Sequence, residues 1–231
     1  ECSALVVTLD LQMIGKRHAD RRNGMTAPPR LTIPNILDIA RRPRWAWNML
    51  GTQNREFGNI QGSASGVDDM NDLMKWTARS FDRKLNWDDI KRFRDMWDGP
   101  LIIKGILEAE DAEECVKIGA EALVVSNHGG RQLDGARSAI SVLPEIVEKV
   151  GDGVEVWMDG GVRFGQDIIR ARGMGAKAVM VGRPVIYGLG AMGEAGVQRM
   201  LEIFHEEAEH TMAIIGHREI ERVCRGDLVV G

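Results

Sequence analysis

The sequence predicts an α/β protein built on a parallel sheet, a (β/α)8 barrel of which this chain supplies about the last five strands. Three observations predict it. Short apolar runs alternate with amphipathic helical stretches, the pattern of repeated strand–helix units. Each run finishes in polar residues, four of the five with glycine, and barrels of this kind keep their chemistry at the carboxyl ends of the strands. The last two ends, Asp159-Gly160-Gly161-Val162-Arg163 and Gly182-Arg183-Pro184, are built alike, as are the phosphate-binding ends of the seventh and eighth strands of many barrels. On that count the three remaining strands are expected ahead of the first run.

The runs are Ala4 to Asp10, Leu101 to Lys104, Ala122 to Ser126, Val154 to Asp159 and Ala178 to Gly182. They are four to seven residues long and rich in β-branched or large apolar residues, as strands buried on both faces must be. Helices are predicted between them. Glu110 to Ile118 places Ala112, Cys115 and Val116 on one face and stops at Gly119. Ala139 to Val150 and Gln166 to Met174 read the same way, each ending near glycine.

Residues 18–98 break the pattern and are read as an insertion or lid between two strands of a single domain, 1–231. His18 to Arg30 is polar and turn-rich. Pro34 opens a short helix, Asn35 to Arg41, which Pro43 is expected to end, and Trp45 to Leu50 forms another turn closed by Gly51. Asn48 to Asp69 has the Gly, Ser and Asn content of a loop. Met70 to Trp97 reads as helical, with Trp76, Phe81, Trp87, Ile90, Phe93 and Trp97 as its apolar contacts. An excursion this long usually covers or shapes a site.

Composition excludes several classes. The 231 residues carry 30 Lys plus Arg against 34 Asp plus Glu, a net charge of −4, whereas a duplex-binding protein calls for a net basic face. At 44% hydrophobic and 28% charged the chain is an ordinary globular protein, neither disordered nor collagen-like. No apolar run approaches the roughly 18 residues needed to span a bilayer. Cys2, Cys115 and Cys224 lie far apart with no CxxC pair. That suits a reducing compartment and predicts neither a zinc site nor a disulfide framework.

The densest motif is Ser126-Asn127-His128-Gly129-Gly130-Arg131-Gln132-Leu133-Asp134. A His and an Arg three residues apart, straddling two glycines after a buried strand, can face one pocket, and the glycines let backbone approach a ligand. Asp159-Gly160-Gly161-Val162-Arg163 and Gly182-Arg183-Pro184 each join a strand to a helix. Glycine-rich backbone at a helix N-terminus cradles anions, and an arginine adds a fork suited to phosphate. Lys104 reads either as a snorkelling surface lysine or as a fixed charge beside an anion. Asp10 reads either as a helix cap or as a carboxylate that orients His128.

These strand ends resemble, in order and spacing, the FMN-dependent α-hydroxy-acid dehydrogenases and oxidases, among them glycolate oxidase, mandelate dehydrogenase and the flavin-type L-lactate dehydrogenases. The resemblance covers essentially the whole chain. Trp45-Ala46-Trp47-Asn48, Gly58-Asn59-Ile60 and Trp97-Asp98-Gly99-Pro100 are most similar to the bacterial L-lactate dehydrogenase branch. The resemblance implies FMN-dependent oxidation of an L-2-hydroxy acid, L-lactate or a near relative, to the 2-oxo acid. It makes His128 the base and Asp10 its paired carboxylate. Arg131 becomes the main carboxylate-binding arginine and Arg17 the second. Thr8, Lys104 and Ser126 match flavin-ring contacts, and Asp159, Gly160, Gly161, Val162, Arg163, Gly182 and Arg183 match ribityl and phosphate contacts. No metal is implied. It also implies a homotetramer that passes electrons to a quinone or cytochrome of the respiratory chain.

Two departures qualify the match. The family's first three strands and its substrate tyrosines have no counterpart here, since the one tyrosine, Tyr187, matches neither. Leu11-Gln12-Met13-Ile14 replaces a proline-containing turn. Three alternatives therefore stay open: an oxidase of the same family using O2, a truncated remnant that no longer binds flavin, and another flavin- or phosphate-binding barrel such as a nucleotide dehydrogenase. Against the last stands the absence of a catalytic cysteine near the strand-end loops. Finally, Arg41, Arg42 and Arg44 flank Trp45 and Trp47 within residues 31–60, beside Ile33, Ile36, Leu37, Ile39, Met49 and Leu50. Basic residues around tryptophans on an amphipathic stretch suit a helix lying in a membrane interface. A lid packed on the barrel is the other reading. The resemblance, through the membrane-attaching insertion of mandelate dehydrogenase, favours a cytoplasmic protein peripheral on the inner face of the cytoplasmic membrane.

Overall fold

In the computed structural model, residues 2–13, 15–24, 32–52, 76 and 79–228 are described. The chain forms two units. Gln12–Arg83 is one, and Glu1–Leu11 with Lys84–Gly231 is the other.

The Gln12–Arg83 unit contributes three described helices: α1 (His18–Arg22), α2 (Ile33–Ala40) and α3 (Pro43–Gly51). Pro43 begins α3 instead of merely ending α2. A proline at the first helical position gives up only an amide that has no partner there anyway. Thr32 caps α2 by accepting from Asn35 N at 3.4 Å. Neither α2 nor α3 buries a residue. The expected loop over 48–69 is helical as far as Gly51, and its part from residue 53 lies outside the described residues.

The larger unit carries β1 (Leu5–Thr8), β2 (Leu101–Ile106), β3 (Ala122–Val125), β4 (Glu155–Asp159) and β5 (Ala178–Met180). All pair in parallel and in chain order, as successive strands of a barrel do. Between and after them run α4 (Trp87–Met96), α5 (Ala109–Ile118), α6 (Ala139–Val150), α7 (Gly165–Gly173), α8 (Arg183–Met192) and α9 (Glu194–Ile215). The helix read over Met70 to Trp97 is, from Trp87 on, α4. Phe81 to Asn86 is not helical, and most of 70–78 lies outside the described residues. The reason is a capping box. Asn86 Oδ1 accepts from Asp88 N at 2.9 Å, and Asp89 Oδ2 accepts from Asn86 N at 3.1 Å, which starts a new helix at that point.

The strands face two ways with the period of two expected of a sheet. Leu101, Ile103, Leu123 and Val125, each wholly buried, pack against Ala112 and Cys115 of α5 and Val142, Leu143 and Ile146 of α6. Ile102, Ala122 and Val124 face the other side with Ala4 and Trp157. Each wholly buried Leu or Ile is worth about 1.5–3 kcal/mol, so β2 and β3, covered on both faces, anchor the site at their carboxyl ends. The longest helix, α9, carries none of the motifs. It lies across α8 where Gly188 and Gly196 meet so closely that an added Cβ at Gly188 would come within 2.5 Å of Gly196 O. Met200 and Phe204 are its buried apolar anchors.

Candidate active site

Four strand ends converge on a cavity of about 720 Å³, lined by Lys104 of β2, His128, Gly129 and Arg131 after β3, Asp159 at the end of β4 with Gly160 to Arg163 after it, and Met180 at the end of β5 with Val181 to Pro184 and Tyr187 after it. Its size falls within the usual range for small-molecule sites.

Asp10, just beyond β1, reaches His128 across 118 residues of sequence, Oδ1 to Nδ1 at 3.0 Å. Two local features make this possible. The first is the break in the β2–β3 register between Lys104 and Ile106, where Gly105 takes φ +106. A Cβ there would lie 2.9 Å from Asp10 Cγ, so only glycine leaves room for the carboxylate. The second is the turn after β3. His128 is, among the described residues, the one non-glycine with positive φ (55°). Ser126 Oγ accepts from its amide at 3.0 Å, and Asn127 Oδ1 caps the turn by accepting from Gly130 N at 3.2 Å. A strained histidine fixed by its surroundings is a common mark of a functional position.

Lys104 Nζ lies 2.5 Å from Asp159 Oδ2 and donates to Ser126 Oγ at 3.0 Å. Ser126 is wholly buried and already accepts two bonds, so its remaining capacity is its own O–H. Thr8 is in register with Lys104 on the neighbouring strand. Asp159 Oδ1 and Asp10 Oδ2 are buried oxygens with no hydrogen-bond partner among the described residues. Such atoms are costly unless a ligand or water donates to them.

The two glycine-rich ends differ from each other. The amides that lead into α7 are already taken: Asp167 Oδ2 accepts from Arg163 N (2.9 Å) and Phe164 N (3.1 Å), and Glu207 Oε2 from Gly165 N, the first of the helix (2.6 Å). After β4 the anion-binding capacity therefore rests on the Arg163 side chain and the preceding glycines. Gly160 (φ +88) fits against Asn127 Oδ1, which its Cβ would meet at 3.1 Å. Val162 is buried in the core, leaving only its main chain for a ligand. At Gly161 and Gly182 an added Cβ would meet open space. Arg183 donates from Nη2 to Gly129 O, linking the β5 end to the histidine turn. Because Lys104 and Asp159 offset each other, Arg163 and Arg183 leave the cavity wall net positive.

These features fit a flavin mononucleotide. The cavity has the volume, two arginines and open glycine backbone suit a phosphate, and the orphaned Asp159 oxygen calls for hydroxyl donors such as a ribityl chain carries. Arg17 belongs to the other unit, where it precedes α1. Sequence reading did not place Met180, Val181 and Tyr187 on the cavity wall, because their side chains follow from how α8 leaves β5 and not from any motif. Among the described residues no group of three or more His, Cys, Asp or Glu is arranged to hold a metal.

The profile of the FMN-dependent dehydrogenase family matches residues 1–229. The L-lactate dehydrogenase of Actinobacillus pleuropneumoniae serotype 5b (strain L20) is 41% identical over 232 residues, covering 99% of this chain and 60% of that protein. That of Caulobacter vibrioides (strain NA1000 / CB15N) is 41% identical over 223 residues, 96% and 58% of the two chains. Among solved structures, the monotopic membrane protein (S)-mandelate dehydrogenase superposes with a TM-score of 0.90 at 35% identity, covering 98% of this chain and 60% of that one. A mandelate oxidase does so with a TM-score of 0.74 at 36% identity, covering 97% and 55%. The chain thus spans about 60% of the length of the relatives it matches.

Proposed function

The chain belongs to the FMN-dependent dehydrogenase family, and from that premise we propose that the protein oxidises an L-2-hydroxy acid, L-lactate first among them, to the 2-oxo acid with FMN as cofactor. One observation carries the reading: His128, paired with Asp10 at 3.0 Å, shares the wall of one cavity with Arg131. The relatives' names support L-lactate as the substrate.

Asp10 accepting from Nδ1–H holds the imidazole in the tautomer whose Nε2 lone pair is free. Nε2 then takes the proton of the substrate hydroxyl, and the Asp10 charge stabilises the imidazolium that results. A general base of this kind is worth about 10²- to 10⁴-fold. Arg131 clamps the substrate carboxylate through two parallel hydrogen bonds and so fixes the α-carbon. Lys104, Ser126 and Thr8 hold the flavin ring. Asp159, the main chain of Gly160 to Val162, Arg163, Gly182 and Arg183 hold the ribityl phosphate. When bound, FMN supplies the two-electron acceptor.

The same family resemblance supports a homotetramer and electron transfer to a quinone or cytochrome. Attachment to the inner face of the cytoplasmic membrane by residues 31–60 is supported by α2 and α3. There Ile33, Trp47 and Leu50 are 75%, 78% and 71% exposed beside Arg41, Arg42 and Arg44. No helix among the described residues is long and apolar enough to cross a membrane.

The test is anaerobic mixing of the FMN-loaded protein with L-lactate and, separately, with (S)-mandelate, following flavin absorbance. Bleaching by L-lactate, slowed roughly 10²-fold or more in His128→Gln with FMN affinity retained, is the expected result. A flavin-loaded protein that neither acid reduces overturns the proposal, and hydrogen peroxide formed on admitting air identifies an oxidase.

A further inference from the structure

Gln132 ties the turn that carries His128 to the residue His128 depends on. Its Nε2 donates to Asp10 O at 2.9 Å, while Asp10 Oδ1 meets His128 Nδ1 at 3.0 Å. Asp10 is thus gripped twice by one loop, at its main chain by Gln132 and at its side chain by His128. The grip matters because of where Asp10 sits. The β1–β2 ladder ends with Leu9 N donating to Lys104 O at 2.8 Å, and Asp10 lies one residue beyond it, in a turn. Beneath it, Gly105 offers no side chain to hold it in place. His128 for its part holds a left-handed backbone that an L residue adopts only at a cost.

We propose that Gln132 is a positioning residue for the His128–Asp10 pair. By fixing the Asp10 carbonyl it sets the carboxylate at hydrogen-bonding distance from Nδ1, and through it the direction in which Nε2 points into the cavity. Gln132 is not among the residues that line the cavity, so its effect runs through Asp10. The inference rests on the proposed function for its catalytic consequence, but the clip itself is a property of the protein alone.

Two variants test it in the FMN-loaded protein. Gln132→Glu keeps length and shape but replaces the donor with an acceptor facing a carbonyl. Gln132→Leu removes the polar end altogether. In both, flavin reduction by L-lactate should slow by roughly 10- to 10²-fold, the scale of an ångström-sized misplacement. Oxalate, bound through the Arg131 carboxylate site and read from its perturbation of the flavin spectrum, should keep its dissociation constant within about twofold. In the flavin-free protein, the downfield proton resonance of a carboxylate-bonded His128 Nδ1–H should broaden or vanish in both variants. Unchanged reduction rates overturn the proposal. So does a rate loss that runs in step with weaker oxalate binding and a lower melting temperature, because the role is then structural. A His128 resonance that persists unaltered also overturns it. If L-lactate fails to reduce even the unsubstituted protein, the functional reading falls while the resonance still decides the role of Gln132.

Discussion

Lys104 Nζ and Asp159 Oδ2 stand 2.5 Å apart, joining the ends of β2 and β4 over the end of β3. Both side chains are mostly buried, 15% and 17% exposed, so each depends on the other to offset its lost hydration. Lys104→Met should therefore destabilise the protein by about 3 kcal/mol, because it strands a largely buried carboxylate whose second oxygen has no partner among the described residues. The double variant Lys104→Met with Asp159→Asn should recover part of that loss. Denaturant unfolding of the four proteins gives the coupling. Simple additivity of the single losses contradicts mutual dependence.

Gly105→Ala tests the space beneath Asp10. The new methyl would meet Asp10 Cγ at 2.9 Å on a backbone with φ +106. The expected cost is about 1–3 kcal/mol of stability, with flavin reduction slowed as His128 loses its partner. Wild-type reduction rates in this variant would separate Asp10 from the chemistry.

Cys115 is wholly buried in α5, and burial, with Asp111 nearby, pushes its thiol up to about 12. The folded value lies above that of the unfolded chain, about 8.5. Its contribution is therefore complete below pH 8.5 and lost as pH rises toward 12, at up to about 1.4 kcal/mol per pH unit. Urea unfolding between pH 8 and 10 should show this slope, reduced in Cys115→Ala. In the native protein at pH 8, a thiol reagent should modify exposed Cys2 and Cys224 and spare Cys115 until unfolding. Rapid native labelling of Cys115 would contradict its burial.

The membrane proposal predicts co-sedimentation with anionic vesicles at low salt. Attraction to the lipid should weaken as salt screens it, while the tryptophan contribution should not. Changing Arg41, Arg42 and Arg44 together to Gln should move most of the protein to the supernatant. If both proteins stay equally in the supernatant, α2 and α3 form a lid and not an anchor.

The sequence by itself determined the local elements and their chemistry. Apolar runs located β1 to β5 to within a few residues, glycine stops located α5, α6 and α7, and the run from Ser126 to Asp134 named the family. Each of these signals lies within one short stretch, where backbone preference and side-chain period suffice. The tertiary structure decided how distant residues meet. The sequence offered Asp10 as the partner of His128, 118 residues away, as one of two readings and through the family resemblance, while nothing near Lys104 points to Asp159. Those pairs follow from the parallel register of β1 to β4 and from the room that Gly105 leaves. Register is fixed by packing on both faces of the sheet, which no single segment encodes. The amides at the start of α7 teach the same lesson in reverse. A glycine-rich turn before a helix reads as an anion cradle, yet Glu207 of the distant α9 takes one of those amides and the nearby Asp167 two. The Glu207 contact exists only because α9 packs across α7, an approach that Gly165, with no room for a side chain against Phe204 O, makes sterically possible.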